Sequence, residues 1–214
     1  MDMLTNCSDT LGKRESNRIR NRNAILLAAR ECFRKKGYDN ATIRDIVRKT
    51  GLAAGTFYNY YSSKQDIFAA LLTDFLNQLN LNLTRYRKAA GTGEDFIRST
   101  YLALFRATAD DPLVYELAHR NDQTIRELFG SDLLGLAMLS LEDDVRDAVN
   151  GNLLPNVDQD YLCAAFFGVA YEMSLRVARR THKTPDNGER EAQAAAQFAA
   201  TLFLGGLTQL DTLS

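Results

Sequence analysis

Helix-breaking residues are few in this chain, and their positions limit the folds that it can adopt. Three prolines occur in 214 residues, and each lies in a short cluster of helix-ending residues: DDP, NGNLLPN and KTPDNG. Proline removes a backbone donor and clashes with the preceding turn, so each cluster is expected to end a helix. Between the clusters, apolar residues recur every three or four positions, without convincing alternation of period two. The sequence therefore predicts an all-α fold.

Stop and cap signals divide this pattern into nine predicted helices. Gly37 ends the first helix, and a variant capping box, Thr42 with Asp45, opens the second. Ser62 and Ser63 both have the spacing to cap the fourth helix, so that choice stays open. The predicted helices cover residues 23–36, 42–50, 54–60, 64–88, 94–109, 112–128, 131–149, 158–181 and 188–210.

Charge is distributed unevenly along the chain, although the formal net charge is −1. Residues 1–64 hold 13 lysines and arginines against 6 acidic residues, whereas the remaining 150 residues hold 13 against 21. A basic amino-terminal segment attached to an acidic remainder favours a polyanion as the partner of the first segment. Nucleic acid is the leading partner class, although charge also fluctuates along sequences that bind no polyanion.

The cysteines and the first residues indicate a reducing compartment. Cys7, Cys32 and Cys163 are odd in number and far apart, so they predict neither a disulfide framework nor a metal site. The start MDMLTNCSDT lacks the apolar stretch and the cleavage site of a secretory signal. We expect a cytoplasmic protein that needs no metal or other cofactor.

Residues 55–61 read GTFYNYY and place four aromatic rings in seven positions. One helix face cannot hold all four rings, so Phe57 and Tyr61 are expected to pack inward and Tyr58, Asn59 and Tyr60 to project outward. The turn TGLA joins this segment to the preceding short helix, which is the pattern of a helix-turn-helix unit whose second helix enters the major groove. Tyrosine hydroxyls and an asparagine amide suit contacts with phosphates and base edges.

A longer segment that includes this unit, TIRDIVRKTGLAAGTFYNYYSSKQDIFAAL, resembles the amino-terminal signature of the TetR family of bacterial transcriptional regulators. The resemblance implies an all-α protein with an amino-terminal three-helix helix-turn-helix head, joined by a long helix to a helical ligand-binding and dimerisation domain. The expected divisions are a flexible basic arm at 1–22, a DNA-binding domain at 23–63 and an effector-binding and dimerisation domain at 64–214.

The resemblance and the spacing together assign a set of DNA-contacting residues. Gly55 and Thr56 lie in the first turn of the recognition helix, where backbone N–H groups can approach a phosphate, and Lys64 adds a positive charge at the next helix start. The residues expected at the DNA surface are Thr42, Arg44, Ala54, Gly55, Thr56, Tyr58, Asn59, Tyr60 and Lys64. Ala53 departs from the family pattern, which usually has serine or threonine, so the recognition helix lacks its usual side-chain cap.

The basic stretch before the first predicted helix reads GKRESNRIRNR. In the free protein we expect a solvated, disordered tail. On DNA, the arms of similar family members can enter the minor groove, where arginine is attracted by the negative potential. The arginines assigned to this second role are Arg18, Arg20 and Arg22.

The last two predicted helices have the composition of a packing interface. From 192 to 210 the chain reads AQAAAQFAATLFLGGLTQL without a charged residue, and DYLCAAFFGVAY in the preceding helix is nearly as apolar. The family resemblance implies that both helices pair with their copies in a homodimer, which would read a palindromic operator through two half-sites. A membrane span is the rival interpretation, and the glutamines and threonines in the segment argue against it.

Aromatic residues in the central and final helices form the candidate effector cavity. The resemblance implies a small-molecule effector bound in this region, and an aromatic lining suits a hydrophobic or aromatic compound. The candidate ligand-binding residues are Tyr101, Phe105, Tyr115, His119, Phe129, Met138, Phe166, Phe167 and Tyr171. Packing in the core is the alternative role of each.

We therefore expect a ligand-responsive, sequence-specific DNA-binding regulator, most often a repressor in this family, and not an enzyme. Two alternatives remain. The first is a small-molecule hydrolase or transferase that uses the helical cavity, although the chain has no Gly-x-Ser-x-Gly motif and no phosphate-cradling glycine loop. The second is a helical adaptor that has lost DNA binding, which the missing cap at Ala53 suggests.

Overall fold

The computed structural model describes the backbone of residues 6–130, 133–155 and 157–210, and the side chains of 12–127, 129–130, 141–155 and 157–206. Within these residues there are ten α-helices, one short 3-10 helix and no strand. This composition confirms the all-α prediction. The chain divides into two compact units, residues 1–71 and 72–214.

The first unit contains α1 (Asn6–Lys36), α2 (Ile43–Thr50), α3 (Ala54–Tyr58) and the start of α4 (Lys64–Ala89). Apolar side chains from all four helices form its core, and the fully buried members include Ile25, Ala29, Ile46, Phe57, Ile67 and Phe68. The Tyr38 ring lies between Phe33 and Phe68, with ring centroids 5.2 Å and 5.3 Å apart. The amino-terminal head therefore has a hydrophobic core of its own.

The first helix is longer than the sequence predicts. It begins at Asn6 rather than near residue 23, so the described part of the expected flexible arm is helical. The charged residues before residue 23 form no apolar stripe, which is why periodicity assigns no helix to them. Extending an existing helix avoids the cost of nucleation. The ion pair between Arg18 and Glu15, which lie one turn apart, also favours the helical conformation, with a distance of 2.8 Å.

Local caps set the bounds of α2. The Thr42 hydroxyl accepts a hydrogen bond from the Asp45 N–H at 3.2 Å, and the Asp45 carboxylate accepts from the Thr42 N–H at 3.1 Å, which confirms the capping box. The ammonium of Lys36, 2.7 Å from the carboxylate, and the bonds from Thr42 lower the pKa of Asp45 to about 2. The ionised Asp45 carboxylate therefore stabilises the folded head above the ordinary pKa of 3.8, and this stabilisation is lost as the pH falls towards 2.

The start of α4 distinguishes the two candidate serine caps. The Asp66 N–H donates to the Ser63 hydroxyl at 3.0 Å. The Asp66 carboxylate accepts from the N–H groups of Ser62 and Ser63, each at 3.0 Å. Hydrogen bonding, with the Ser63 side chain as the largest cause, lowers the pKa of Asp66. Ser63 is therefore the residue whose side chain caps α4.

Ala53 occupies the N-cap position of α3 and supplies no side-chain hydrogen bond, as predicted. Its backbone is extended (φ −61°, ψ 144°), the conformation from which a serine hydroxyl can accept from the first turn. Ala53→Ser is expected to raise the free energy of unfolding by about 1 kcal/mol, measured by urea denaturation. Ala54→Ser at the first helical position is the control, and equal stabilisation by both serines would contradict the capping explanation.

The second unit contains the remainder of α4 and six further helices. They are α5 (Gly93–Asp110), α6 (Pro112–Arg120), α7 (Asp122–Phe129), α8 (Leu133–Asn150), α9 (Gln159–Lys183) and α10 (Gly188–Leu210), with a 3-10 helix at Pro185–Asn187. α5 packs against both α9 and α10. In the core between them, the Tyr101 ring stacks on Phe166 and Phe105, with centroids 4.2 Å and 5.8 Å apart.

The prediction of one helix over residues 112–128 is wrong, because the chain forms two helices that meet at Asn121. Asn121 has φ −117° and ψ 38°, outside the helical region. The Leu117 carbonyl accepts from both the backbone N–H of Asn121 at 3.0 Å and its side-chain amide at 2.7 Å, so Asn121 closes the last turn of α6. Periodicity could not show this break because both helices turn an apolar face to the core.

Among the described residues, no helix is long and apolar enough to span a membrane.

The sequence predicts the domain boundary at residue 63, immediately before α4 begins. The structure divides the chain after Leu71, within the amino-terminal part of the same helix.

Candidate functional site

The four rings of the aromatic segment are divided between the core and the surface of the head. Phe57 is buried and Tyr61 is 8% exposed, whereas Tyr58 is 55% exposed and Asn59 is exposed. The inward packing of Phe57 and Tyr61 is thus confirmed. The Tyr58 ring meets the Phe57 ring edge to face, with centroids 5.6 Å apart. This contact helps to orient the outward tyrosine.

Tyr60 lies beyond the end of α3 and is half-buried rather than outward. Its hydroxyl accepts a hydrogen bond from the Asn21 side-chain amide at 3.3 Å. Asn21 belongs to the stretch of α1 that the sequence assigned to a flexible arm. The contact therefore attaches the aromatic segment to the first helix, and a long-range hydrogen bond of this kind has no signal in the sequence.

The other predicted DNA-contacting residues of α2 and α3 lie at the surface. Thr42, Arg44, Ala54 and Gly55 are exposed, and Thr56 is half-buried. The hydroxyl of Thr42 donates to the Asp45 carboxylate at 2.8 Å, so it is already engaged in the cap. An extra methyl group on Gly55 would meet no atom within 4 Å, which shows that this face of α3 is open to an approaching partner.

Lys64 makes contacts within the head that the sequence did not indicate. Its ammonium donates to the carbonyl oxygens of Tyr38 at 2.7 Å and Asp39 at 3.1 Å, and it lies 4.5 Å from the centre of the Tyr38 ring. These contacts fasten the turn after α1 to the start of α4. A phosphate contact by Lys64 stays a prediction, and it would use the remaining ammonium donor.

The described basic residues before residue 23 lie on α1, beside the aromatic segment. Arg18 pairs with Glu15 through its Nε at 2.9 Å and its Nη2 at 2.8 Å, and Arg20 is exposed. Arg22 is half-buried. A cleft in the head surface combines two of these arginines with the outward end of the aromatic segment: Arg18, Arg22, Thr56, Asn59, Tyr60, Tyr61 and Ala70. The cleft brings cations and hydrogen-bonding side chains to one surface.

A small cavity lies in the second unit among α4, α5, α6, α8 and α9. It encloses about 50 Å³, and most of its lining is apolar. Four predicted ligand-binding residues contribute to the lining: Tyr115, Phe166, Phe167 and Tyr171. The members that the sequence did not indicate are Phe75, Leu76, Leu79, Leu83, Arg87, Thr100, Leu104, Leu141 and Ala170.

Arg87 is the charged member of this lining, and its side chain is 6% exposed. Its Nη1 forms an ion pair with the Asp144 carboxylate, and its Nε lies 3.4 Å from the Thr100 hydroxyl. Burial lowers the pKa of Arg87 to about 10, so the guanidinium stays protonated at neutral pH. The sequence Arg-Tyr-Arg-Lys at the end of α4 is typical of exposed cations near a helix carboxyl end, which hides this arginine from sequence analysis.

The remaining predicted ligand-binding residues lie outside the described cavity lining. Tyr101 and Phe105 are buried in the core, and the Tyr101 hydroxyl donates to the Phe166 carbonyl at 3.3 Å. His119 stacks on the lining residue Tyr171, with ring centroids 4.8 Å apart. Phe129 is half-buried. The side chain of Met138 lies outside the described residues.

The carboxyl-terminal helices present apolar residues to solvent. Tyr161 on α9 is 78% exposed, and Phe198 and Leu202, one turn apart on α10, are 64% and 59% exposed. Small residues continue the same stripes, and the exposed ones are Ala164, Ala165, Gly168, Ala194, Gly205 and Gly206. Large exposed side chains flanked by small residues on two neighbouring helices form a surface on which another helix pair could pack closely.

Residues 25–71 match the family described as bacterial regulatory proteins of the tetR family. The HTH-type transcriptional regulator YvdT of Bacillus subtilis is 51% identical over 59 residues, which are 26% of this chain and 30% of that protein. The HTH-type transcriptional repressor AcnR of Corynebacterium glutamicum is 24% identical over 138 residues, 64% of this chain and 66% of that protein. The chain thus spans less than a third of YvdT and about two thirds of AcnR.

Solved structures share the fold over nearly the whole chain. A putative TetR-family transcriptional regulator from Syntrophomonas wolfei has a TM-score of 0.70 and 22% identity, with 87% of this chain and 96% of that chain covered. The regulator FadR from Bacillus subtilis, solved in complex with stearoyl-CoA, has a TM-score of 0.65 and 19% identity, with 86% and 97% covered. At these identities the likeness concerns the fold.

Proposed function

We propose that this chain, whose head is similar to the tetR family of bacterial regulatory proteins, is a member of that family and acts as a homodimeric repressor released from a palindromic operator by a small apolar ligand. The observation that carries this proposal is the exposed Tyr58 and Asn59 beside a buried Phe57, within the matched helix-turn-helix head. A head with this arrangement can insert a short helix into the major groove without losing its own core.

Charge supports DNA as the partner of the head. Residues 1–64 carry an excess of seven positive charges, and Arg44 and Arg20 are exposed. Each phosphate that such residues neutralise contributes about −0.9 to the slope of log affinity against log salt concentration. Because Arg18, Arg20 and Arg22 lie on α1, they would contact the phosphate backbone beside the groove. They would not enter the minor groove as part of an extended chain.

The exposed apolar stripes of α9 and α10 support a homodimer. Tyr161, Phe198 and Leu202 would leave water if these helices packed against their copies, which would favour association. A two-fold axis through this surface would give two heads and hence a palindromic site. The repressor role is proposed from the similarity to AcnR, and a cytoplasmic location follows from the proposed contact with bacterial DNA.

The cavity supports control by a ligand. Its volume of about 50 Å³ is well below the 300–1,000 Å³ of typical ligand sites, so an effector has to displace lining side chains. A ligand that binds one conformation better than another shifts the balance between them. The two conformations would differ in operator affinity.

Selection from a pool of random duplexes tests the proposal directly. The purified protein, mixed with a randomised library and recovered through several rounds, is expected to enrich one palindromic sequence with half-sites about one helical turn apart. The same protein with Tyr58→Ala should enrich nothing. Recovery of duplexes without a shared sequence by the unaltered protein would argue against a sequence-specific regulator.

A further inference from the structure

The cavity in the second unit combines an apolar lining with one buried cation, and this combination restricts the chemistry of its ligand. Phe75, Leu79 and Leu104 form part of the apolar lining, and Arg87 and Thr100 contribute polar groups to it. A guanidinium removed from water is costly unless an anion and further acceptors surround it. The ligand therefore has to preserve the charge balance of the cavity.

Arg87 has more hydrogen-bond donors than its present partners use. A guanidinium carries five N–H donors in a planar fork that matches a carboxylate in two parallel bonds. Within the part of the chain that the structure describes, its polar contacts are the Asp144 carboxylate and the Thr100 hydroxyl. Its charge also lies 5.9 Å from the centre of the Phe96 ring.

Asp144 is the exchangeable partner in this arrangement. It belongs to α8, and its side chain is 31% exposed, whereas the Arg87 side chain is 6% exposed. The aspartate can therefore turn towards water while the arginine stays in the cavity. A second carboxylate that enters from the apolar side would take its place with no change in the charge of the site.

We propose that the effector is a compact monocarboxylic acid with an apolar body, whose carboxylate displaces Asp144 and binds Arg87 in a bidentate pair next to Thr100. The regulatory role of this ligand rests on the proposed function, whereas the binding site itself rests on the geometry of the cavity. A dianionic phosphate ester would leave an uncompensated negative charge among apolar side chains, and a neutral compound would leave the Arg87–Asp144 pair in place.

The exchange links ligand binding to helix packing. The ion pair joins α4 to α8, and its replacement removes that connection while the ligand body separates the apolar side chains around it. α4 is also the helix that begins at Lys64 in the head. A ligand that binds the separated arrangement better than the closed one therefore shifts the packing of α4 against α8 within the second unit.

Isothermal titration of the full-length protein with 4-phenylbutanoate and its uncharged isostere 4-phenylbutanamide tests the site. The carboxylate is expected to bind about a hundredfold more tightly than the amide, the usual value of charged hydrogen bonds in a buried site. Arg87→Met should remove this preference. Asp144→Asn, which weakens the competing partner, should tighten carboxylate binding by about tenfold.

Opposite effects of the two substitutions distinguish a ligand site from a structural ion pair, because loss of a purely structural pair would weaken binding in both variants. Arg85→Met, two residues earlier and exposed on the same helix, is the matched control and should change neither affinity. The double variant Arg87→Met with Asp144→Asn removes both charges together, so it keeps the test valid if the single arginine variant unfolds. In that variant the carboxylate and the amide should bind equally.

Equal binding of acid and amide to the unaltered protein, or no binding of the acid, overturns the inference. Weaker acid binding by Asp144→Asn also overturns it. Operator binding without ligand is measured separately. A protein that binds its operator but not the acid remains a regulator without this site, and one that binds the acid but no duplex keeps the site without the proposed function.

Discussion

Replacement of Tyr58 and Asn59 together by alanine is expected to abolish specific operator binding while the head stays folded. Both side chains are exposed, so neither contributes much to the core. Each base or phosphate contact that a recognition helix makes contributes about 1–3 kcal/mol, and a dimer uses each contact twice. Four lost contacts predict an affinity loss of at least about a thousandfold, measured by fluorescence anisotropy on the selected duplex.

The matched control for this pair is Asn77→Ala, an exposed asparagine on α4 in the second unit. It should leave operator affinity unchanged. Thermal unfolding of the double variant should shift by only a few degrees, because the edge-to-face contact of Tyr58 with Phe57 contributes about 0.5–1.5 kcal/mol. Unchanged operator affinity in the double variant would mean that another surface reads the DNA.

Phe198→Asp is expected to prevent formation of the proposed homodimer and leave a monomer. Phe198 is 64% exposed on the apolar stripe of α10, and an isologous interface would bury the new charge twice. An unpaired buried charge costs several kcal/mol, so the dimer dissociation constant should rise by at least about a thousandfold. Sedimentation equilibrium measures that change, and operator affinity should fall with it because a single head contacts one half-site.

Leu81→Asp provides the matched control, since Leu81 is 66% exposed on α4, a helix that does not carry the proposed interface. It should leave the protein dimeric. The circular dichroism spectrum of Phe198→Asp should retain its helical content, since a residue exposed within one subunit supports little of that subunit's own fold. A dimer that persists in Phe198→Asp but dissociates in Leu81→Asp would place the interface elsewhere.

Local signals predicted much of the head. The capping box of Thr42 and Asp45, the uncapped start at Ala53 and the inward packing of Phe57 and Tyr61 follow from spacings of three and four residues, and all are present. The same rules missed the helix before residue 23, because they depend on an apolar stripe that those residues lack. They also joined α6 to α7, because the non-helical backbone of Asn121 does not interrupt the apolar periodicity on either side of it.

The candidate cavity was predicted less completely than the head. Aromatic content indicated Tyr115, Phe166, Phe167 and Tyr171, which do line the cavity. It also indicated Tyr101 and Phe105, which the structure places in the core instead. Aromatic side chains serve both purposes, and only their packing distinguishes a lining residue from a core residue.

The sequence by itself determined the helical class and the caps and turns of the head, because helices, caps and short motifs depend on residues within about one turn of each other. The tertiary structure alone decided that Lys64 binds the carbonyls of Tyr38 and Asp39, that Asn21 holds Tyr60, and that Arg87 is buried beside Asp144. These partners lie 25 to 57 residues apart in the chain. Whether a polar side chain is solvated or bonded to a distant residue depends on how whole helices pack. Local sequence patterns do not predict that packing.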